Sequence, residues 1–469
     1  MLYFNWGGEG MKRLFWKKIV NWYDKGMPTP LLVIGPRHIG KTYLINEFCK
    51  TYFQNILYLN LETEKEVITT FKKIHLFQDK VKYLETKFNA KLDDPNTILF
   101  IDEIHESKEF ISVLPLFANS QKSYKVICAS SLLETSLKEK EFESLKEKVE
   151  IKQMYPMSFS EFLAATGNTR FIEMIQQCFI NNKPILKQFH EILLNLFHQF
   201  LYLGGMPENI KSFIQNEKDF VLMDQNIITK ITEDYFSDMQ NMNKRNETDR
   251  IIKIYKSIPG QLMKANQKFM FTKIDAVDNR KRDYLPSLNK LIQSKLASIS
   301  YEVPEPKNPL IENSNSEKFK LYTNDTGVLC NITNTKNYEI MYENTYPHQD
   351  ILLETYVANE LTKLKIPLYY WTRKGEKKGN SELDFLIQMN SKIIPVEVRS
   401  NKKSNSKSLS VYESDYHPKY SLCISEKNFS YKQNTKTIPF YAVFCLPLLK
   451  EKEKEKEEKE LVKRSKINI

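Results

Sequence analysis

The stretch that decides the fold of the first part of this chain is PLLVIGPRHIGKTYLINEFCK, residues 30–50. Residues 30–34 are apolar and suited to a strand, residues 35–42 (GPRHIGKT) fit the pattern GxxxxGK[ST], and the following TYLINEFCK has a helical pattern. In such a strand–loop–helix, glycines let the loop curl so that backbone N–H groups point at phosphate oxygens, and the helix N-terminus adds positive charge. The sequence therefore predicts a phosphate site, which we expect to bind ATP.

The residues of this loop have separate expected roles. We expect Lys41 to contact the β- and γ-phosphates and to take part in catalysis, and the Thr42 hydroxyl to bind Mg²⁺. The expected ATP-binding residues are those of the whole motif: Gly35, Pro36, Arg37, His38, Ile39, Gly40, Lys41 and Thr42.

Further short apolar runs indicate a parallel sheet. Residues 56–61 (ILYLNL), 98–101 (ILFI) and 125–129 (KVICA) read as strands, and helical patterns separate them. Strands that alternate with helices predict an α/β fold with helices on both faces of the sheet. From about Phe159 the pattern becomes mostly helical, and apolar residues recur at three- and four-residue spacing over residues 189–200.

Two acidic residues, Asp102 and Glu103, directly follow the strand ILFI. An acid at the carboxyl end of a buried strand can hold Mg²⁺ through its water shell, so Thr42 and Asp102 are the expected metal ligands. Glu103 is placed to polarise a water molecule for attack on the γ-phosphate. Two acids after buried aliphatic residues would be unfavourable without a counter-ion, which strengthens the prediction of an Mg²⁺-dependent ATP site.

Ser130 and Ser131 follow the strand KVICA at the same sheet edge. A hydroxyl there could bond the γ-phosphate or the attacking water, and the alternative is a helix N-cap before LLETSLKEK. His38 and His105 are interpreted as loop residues, because nothing in the sequence pairs them as catalyst or ligand.

Composition excludes several classes of protein. The 469 residues are 41% apolar and 27% charged, as in an ordinary globular chain. No run approaches the roughly 18 apolar residues of a membrane span, and the N-terminus lacks the order of a secretory signal. The six cysteines form no CxxC pair, which is typical of reduced thiols. We expect a cytoplasmic protein with no membrane partner.

The net charge is +11, and residues 351–450 hold 16 Lys/Arg against 9 Asp/Glu, or +7 of that excess. Such a chain can attract phosphate backbones, so nucleic acid is one expected partner. A Lys- and Asn-rich composition that follows genome bias explains the same excess equally well.

Nine segments in one order resemble widespread, mostly uncharacterised bacterial and archaeal AAA-type ATPases. Those proteins carry a C-terminal domain of unknown function with a PD-(D/E)XK restriction-endonuclease-like fold. The segments are GPRHIGKT, ILFIDEIHE, ICASS, YPMSFSEFL (155–163), YLGGMPE (202–208), KLYTNDTGVL (320–329), LLETYVANEL (352–361), SELDFLI (381–387) and PVEVRS (395–400).

The resemblance implies a division of the chain. It is an ATPase core at 1–158, a helical lid at 159–236, a linker (237–250) with a winged-helix-like segment to 317, a nuclease-fold domain at 318–450 and a charged tail at 451–469. Helix-then-strand patterning at 284–303 is compatible with the winged helix.

The resemblance also assigns roles. Lys41 and Thr42 correspond to the ligands of ATP and Mg²⁺, Asp102 with Glu103 to the acidic pair, and Ser130 to the sensor. Where the family usually has Gly-Arg before YPMSFSEFL, this chain has Glu147-Lys148. If that arginine stabilises charge in the transition state, Lys148 is a weaker substitute. Catalysis in trans would require a homo-oligomer.

Acidic residues near a predicted hairpin form a second candidate site. If Asn390 and Ser391 make the turn, Asp384 faces Glu397, and these like charges repel unless a cation relieves them. With Glu354 from the preceding helix, the cluster could bind Mg²⁺ and generate the hydroxide that cleaves a phosphodiester.

Two observations weigh against cleavage. The nuclease pattern ends in lysine, whereas this chain has Arg399, which stays charged and cannot act as a base. In the same register Glu382 would face Arg399 as a plain ion pair. Nearby basic residues could neutralise phosphates or be solvated loop charges: Arg373, Lys374, Lys377, Lys378, Lys402, Lys403 and Lys407.

The sequence thus predicts an ATPase that couples nucleotide state to a nuclease-fold module acting on or near nucleic acid. It favours the absence of nuclease activity over its presence. The alternative is an ATP-gated switch or scaffold whose C-terminal domain binds protein partners and cuts nothing.

Overall fold

The structure is a computed structural model that describes residues 13–137, 139–242, 245–264, 267–275, 280–343, 345–373, 381–400 and 407–449. The chain divides into two compact units. The first consists of Met1–Pro156 and Asn289–Leu296, and the second of Met157–Leu288 and Ala297–Ile469.

The first unit is built on a five-stranded parallel sheet with the strand order β2-β3-β4-β1-β5. Its elements are α1 (Trp16–Asp24), β1 (Leu31–Ile34), α2 (Lys41–Tyr52), β2 (Asn55–Asn60), α3 (Lys65–Lys73), α4 (Phe77–Phe88), β3 (Thr97–Asp102), α5 (Lys108–Ala118), β4 (Val126–Ser130), α6 (Leu133–Ser136), α7 (Glu139–Lys146) and β5 (Glu150–Gln153). The four predicted strands are confirmed as β1 to β4, and the predicted α/β class with them.

The central strands of this sheet are apolar because both of their faces are covered. Every residue of β1, β3 and β4 is buried, as in parallel sheets flanked by helices. Each buried aliphatic side chain there stabilises the fold by about 1.5–3 kcal/mol relative to exposure. Strand β5 lies at the edge beside β1, and its half-buried sequence EIKQ has no apolar run, which explains why the sequence pattern missed it.

The second unit combines helices with an eight-stranded mixed sheet of order β12-β13-β11-β10-β9-β8-β6-β7. Its elements are α8 (Phe159–Ala165), α9 (Thr169–Asn181), α10 (Lys187–Leu203), α11 (Pro207–Gln215), α12 (Asn226–Met242), α13 (Arg245–Leu262), the first part of α14 (Lys281–Gln293), β6 (Ala297–Glu302), β7 (Asn315–Thr323), α15 (Thr326–Thr333), α16 (Asn337–Tyr342), α17 (Gln349–Lys363), β8 (Tyr369–Arg373), β9 (Ser381–Met389), β10 (Lys392–Val398), α18 (Lys407–Tyr416), β11 (Ser421–Ser425), β12 (Ser430–Lys432) and β13 (Thr435–Pro439).

The polar stretch 237–250, predicted as a linker, is helical wherever it is described. Helix α12 runs to Met242 and α13 begins at Arg245. The reason is an apolar stripe that continues beneath the polar residues: Ile231, Tyr235 and Met239 are all buried, at four-residue spacing. The composition of this stretch therefore concealed its helical periodicity.

The predicted helix-then-strand at 284–303 is present as α14 and β6, but its strand does not form a separate wing. Strand β6 pairs antiparallel with β7 and parallel with β8, so it is part of the eight-stranded sheet. That sheet thus begins at Ala297, before the residue 318 at which sequence analysis started the C-terminal domain.

The hairpin of β9 and β10 has the predicted register. Lys392 pairs with Met389 across the turn at Asn390 and Ser391, and Val396 pairs with Phe385. The turn was recognisable from the sequence because Asn tolerates a positive φ, and φ of Asn390 is 54°.

A buried carboxylate, Asp325, joins two of the segments that sequence analysis singled out. Its side chain accepts hydrogen bonds from the N–H groups of Gly327 (2.9 Å), Val328 (3.1 Å) and Gly205 (2.6 Å). The first two cap helix α15. The Gly205 carbonyl in turn accepts from the Met157 N–H at 2.7 Å, and a Cβ on Gly205 would lie 2.3 Å from the Met157 oxygen. This junction needs glycine and aspartate for packing.

We predict that Asp325→Ala lowers the free energy of unfolding of the second unit by about 2–4 kcal/mol, because three buried N–H groups lose their acceptor. Hydrogen exchange at buried amides of β7, β9 and β10 would measure it. The control is Glu208→Ala, an exposed acid in the first turn of α11, which should cost less than about 1 kcal/mol. Equal effects of both variants would contradict the role given to Asp325.

Candidate nucleotide site

The predicted phosphate loop lies between β1 and α2, where it can bind an anion. Gly40, at φ 86°, precedes the first turn of α2. Lys41 is 4% exposed, and its ammonium group donates to the carbonyls of Gly35 (2.9 Å) and Pro36 (2.8 Å). Backbone donors at the helix N-terminus and this buried cation together favour a phosphate. Of the remaining loop residues, Arg37 pairs with the exposed Glu62.

The Thr42 hydroxyl and the Asp102 carboxylate meet beside this loop. Thr42 Oγ1 donates to Asp102 Oδ2 at 2.8 Å, and the Tyr58 hydroxyl donates to the same oxygen at 3.1 Å. Burial and the charge of Glu103 raise the pKa of Asp102. A hydroxyl and a carboxylate in contact are hard oxygen donors of the kind that Mg²⁺ prefers, so these residues fit the predicted metal.

Tyr58 is a member of this site that sequence reasoning missed. Burial and the neighbouring Asp102 raise its pKa to about 12, so it stays a hydrogen-bond donor. Its position in β2 could have been a signal, because Asn60 pairs with Asp102 in the parallel register and Tyr58 precedes it on the same strand face.

Glu103 is buried, and one of its two carboxylate oxygens is held by neighbouring groups. Its Oε2 atom accepts from the Ser131 N–H (3.0 Å) and the Ser131 hydroxyl (2.9 Å), and His105 Nδ1 lies 3.2 Å away. Burial opposes the charge, but His105, Lys41 and Ser131 together hold the pKa of Glu103 well below its usual value. Glu103 is therefore a carboxylate with ordered orientation.

His105 corrects the sequence interpretation, which gave it no partner. Its side chain is buried against Glu103 and lies 3.5 Å from Glu106. The residue sits in a short 3-10 turn that directly follows Glu103. A turn brings residues i and i+2 together, here Glu103 and His105, without producing a periodic pattern in the sequence. The pair is therefore visible only in the structure.

Ser130 ends β4 directly beside the loop. Its carbonyl accepts from the Gly35 N–H at 3.2 Å. The residue is fully buried, and among the residues that the structure describes none makes a hydrogen bond with its hydroxyl. A buried hydroxyl of this kind at the edge of a phosphate loop is suited to an incoming ligand.

Lys148, the residue at the position of the family's arginine, is exposed between α7 and β5. Its backbone N–H bonds to Leu145, which places it at the end of the α7 turn. A role across a subunit boundary stays a prediction.

In the second unit, Glu354 is held by an internal network. Its carboxylate accepts from the Tyr322 hydroxyl (2.5 Å), from Gln267 (2.9 Å) and from Lys320 (3.1 Å). Lys320 is fully buried and also contacts Glu382 at 2.7 Å. Burial opposes the charge of Lys320, but Glu354 and the other nearby acids outweigh it and raise its pKa.

The hairpin acids are separately engaged. Asp384 Oδ2 accepts from the Val398 N–H at 2.7 Å, and Glu397 Oε2 accepts from Arg399 Nε at 2.7 Å. The predicted alternative pair of Glu382 with Arg399 is wrong, since Glu382 is bonded to Lys320 instead. Over the described part of the chain, no group of three or more His, Cys, Asp or Glu residues is arranged to hold a metal.

Lys320 was not found from the sequence, although a signal exists. The strand segment FKLYT carries one lysine at a position where its neighbours are buried. A lysine there must be neutralised by acids, because an isolated charge in the interior is costly.

The predicted basic cluster is described only in part. Arg373 pairs with Asp415 at 2.5 Å, and Lys407 is exposed at the start of α18. Lys374, Lys377, Lys378, Lys402 and Lys403 lie outside the described residues.

Three protein-family models match separate parts of the chain. Residues 28–163 match an AAA domain, residues 194–339 a domain of unknown function (DUF8612) and residues 350–443 another domain of unknown function (DUF4143). Together with the parallel sheet and the loop geometry, the first match defines residues 28–163 as an AAA-type P-loop ATPase domain.

Similar proteins are distant. An uncharacterised protein of Methanocaldococcus jannaschii, MJ1637, is 23% identical over 243 residues, which is 49% of this chain and 49% of that protein. The match therefore spans about half the length of that curated relative.

Three of the solved structures that resemble this chain do so at low TM-scores. The Walker-type ATPase PABY2304 of Pyrococcus abyssi has a TM-score of 0.42 at 12% identity and covers 69% of this chain and 96% of its own. ORC2 of Aeropyrum pernix has 0.36 at 11%, covering 68% and 92%. The RuvB branch-migration motor of Thermotoga maritima has 0.31 at 14%, covering 64% and 90%. At these TM-scores, the functions of the three proteins say nothing about this chain.

Within the described ranges, no helix combines the length and the apolar character needed to cross a bilayer.

We predict that Glu103→Gln leaves nucleotide binding intact but lowers the turnover of ATP by about 10²–10⁴-fold, because the amide cannot accept a proton. The matched control is Glu66→Gln, an exposed acid in the first turn of α3. Phosphate release measures turnover, and calorimetry measures binding. If Glu103→Gln turns over ATP at the wild-type rate, Glu103 has no catalytic role.

Proposed function

We propose that the first unit is an Mg²⁺-dependent ATPase that binds and hydrolyses ATP. The observation that carries this proposal is that the expected site residues cluster where β1, β3 and β4 end. Asp102 and Ser130 are the last residues of β3 and β4, Glu103 directly follows β3, and Lys41 and Thr42 begin α2 after the loop that follows β1. Parallel strands present these ends at a single sheet edge, where the fold binds ligands.

The hydrogen bonds from Lys41 to the loop carbonyls can be exchanged for bonds to a phosphate. The carbonyls of Gly35 and Pro36 are neutral acceptors, and a charged phosphate oxygen is a stronger partner for an ammonium group. Thr42 and Asp102 would hold Mg²⁺, which neutralises phosphate charge when bound.

Glu103 is suited to activate water once it is partly released. Its Oε2 atom already accepts two hydrogen bonds from Ser131 and lies 3.2 Å from His105 Nδ1, so this oxygen has little capacity for a further donor. Attack by water therefore requires the Oε1 atom or the loss of a Ser131 bond. The Ser130 hydroxyl, one residue earlier, would bond the γ-phosphate or the water.

We further propose that ATP turnover is coupled to the second unit and that the protein acts on or near nucleic acid. The excess of basic residues over 351–450 supports this. The proposal includes a cytoplasmic location, a homo-oligomeric active form and a nuclease-like descent for the C-terminal sheet.

The second unit is proposed to bind rather than to cleave. Glu354 is neutralised by Lys320, and Glu397 by Arg399, so neither acid keeps the free charge that a catalytic cation needs. The same observation favours the second candidate, an ATP-gated switch whose C-terminal part binds a protein.

We predict that duplex or single-stranded DNA raises the rate of Mg²⁺-dependent ATP hydrolysis by the full chain several-fold or more. Lys41→Ala should abolish both basal and stimulated rates, because the phosphates lose their buried cation. Coupled phosphate-release assays with and without DNA measure this. If DNA does not change the rate of ATP hydrolysis, the protein-binding switch becomes the favoured function.

We also predict that the purified chain does not cleave DNA with Mg²⁺ or Mn²⁺. Gel assays on plasmid and on oligonucleotides measure this, with Glu397→Ala as the control that separates a contaminant from the protein. Cleavage that disappears in Glu397→Ala would contradict the binding-only role.

A further inference from the structure

A buried arginine outside every motif contacts the phosphate loop. Arg13 lies before residue 28, where the AAA match begins, and it is 6% exposed. Its Nη1 atom donates to the Ile39 carbonyl at 2.5 Å, and its Nη2 atom donates to the Tyr155 carbonyl at 2.6 Å. The two ends of one guanidinium fork thus hold two backbone segments 116 residues apart in the chain.

The first contact acts on the peptide unit that joins the phosphate loop to α2. The Ile39 carbonyl belongs to the same peptide unit as the Gly40 N–H, at the N-terminus of α2. A cation on the carbonyl oxygen polarises that peptide, because linked hydrogen bonds strengthen one another. The Gly40 N–H therefore becomes a better donor to a phosphate oxygen.

Arg13 is held there by helix α1, which packs on α2. The ring centroids of Trp16, Trp22 and Tyr23 lie 6.0, 6.4 and 6.0 Å from that of Phe48 in α2. Helix α1, which follows Arg13, is thus packed against α2, which follows the phosphate loop. This packing holds Arg13 close to the loop.

The second contact is on the segment by which the chain leaves the first unit. The Met154 N–H bonds to the Ile34 carbonyl at 2.8 Å, directly before the loop. Tyr155 follows, and the second unit begins at Met157. Arg13 therefore bonds both the phosphate loop and the exit segment, residues 154–156.

We propose that Arg13 is a positioning residue of the nucleotide site, which polarises the Ile39–Gly40 peptide toward phosphate and links loop occupancy to the exit segment. This inference rests on the proposed nucleotide binding. Displacement of the loop by a nucleotide alters the Ile39 contact, and the rigid fork transfers that change to Tyr155.

The test compares Arg13→Met and Arg13→Lys with Lys17→Met in the full chain. Lys17 is an exposed residue of α1, so its variant removes the same charge from the same segment. Calorimetric titration with Mg·ADP measures affinity. Thermal unfolding measures Tm with and without Mg·ADP, and hydrogen exchange follows the peptide 152–158 in both states.

We expect Arg13→Met to weaken Mg·ADP binding by about tenfold, since a charge-assisted bond is lost. Arg13→Lys keeps the charge but not the two-pronged guanidinium group. It should fold, and its affinity for Mg·ADP should lie between those of wild type and Arg13→Met. Lys17→Met should stay within about twofold of wild type. The rise in Tm on adding Mg·ADP should shrink in Arg13→Met, and saturating Mg·ADP should protect peptide 152–158 in wild type but not in that variant.

Two results would overturn the inference. One is unchanged affinity in both Arg13 variants. The other is a lower Tm of the free protein with an unchanged Mg·ADP-dependent rise, which is the signature of a purely structural residue. Failure of the wild-type chain and of Lys17→Met to bind Mg·ADP would instead overturn the proposed function, and this inference with it.

Discussion

Strand β1 is paired in parallel register with β4 on one side and β5 on the other, and this pairing determines what can follow it. Ile34 lies opposite Ser130 and opposite Gln153. The next N–H, that of Gly35, bonds to the Ser130 carbonyl, and the Met154 N–H bonds back to Ile34. A Cβ on residue 35 would be 2.4 Å from the Met154 oxygen, so glycine is required there. The phosphate loop therefore begins where the backbone of β1 is hydrogen-bonded on both sides and where no room is left for a side chain.

Two buried lysines, Lys41 and Lys320, carry the same charge in different surroundings. Lys41 donates to the neutral carbonyls of Gly35 and Pro36, and a charged phosphate oxygen is a stronger acceptor than either of them. Lys320 faces Glu354 and Glu382 and is already neutralised. Breaking such a buried pair is costly, so the second cluster stabilises the C-terminal sheet and the first is poised for a ligand.

Several later segments of the family resemblance contact one another within the second unit. YLGGMPE and KLYTNDTGVL meet at Asp325, whose carboxylate caps α15 and bonds Gly205. Lys363, at the end of α17, donates to the Met157 carbonyl at 2.8 Å. Residues from four distant segments thus complete one another's backbone hydrogen bonds.

The sequence by itself determined the parallel sheet, the phosphate loop, the acidic end of β3 and the register of the β9–β10 hairpin. These features are local, because periodicity and turn chemistry act over a few residues. It did not predict that residues 237–242 and 245–250 are helical, since polar composition concealed the buried stripe through Met239.

Only the tertiary structure decided which partners surround the charged groups. Ser131 and His105 orient Glu103, Lys320 neutralises Glu354, and Arg13 reaches the loop from 26 residues away. No local pattern encodes such pairs, because each depends on where separate strands and helices bring two side chains. The free energy of a buried charge is set by those neighbours, and therefore by the fold.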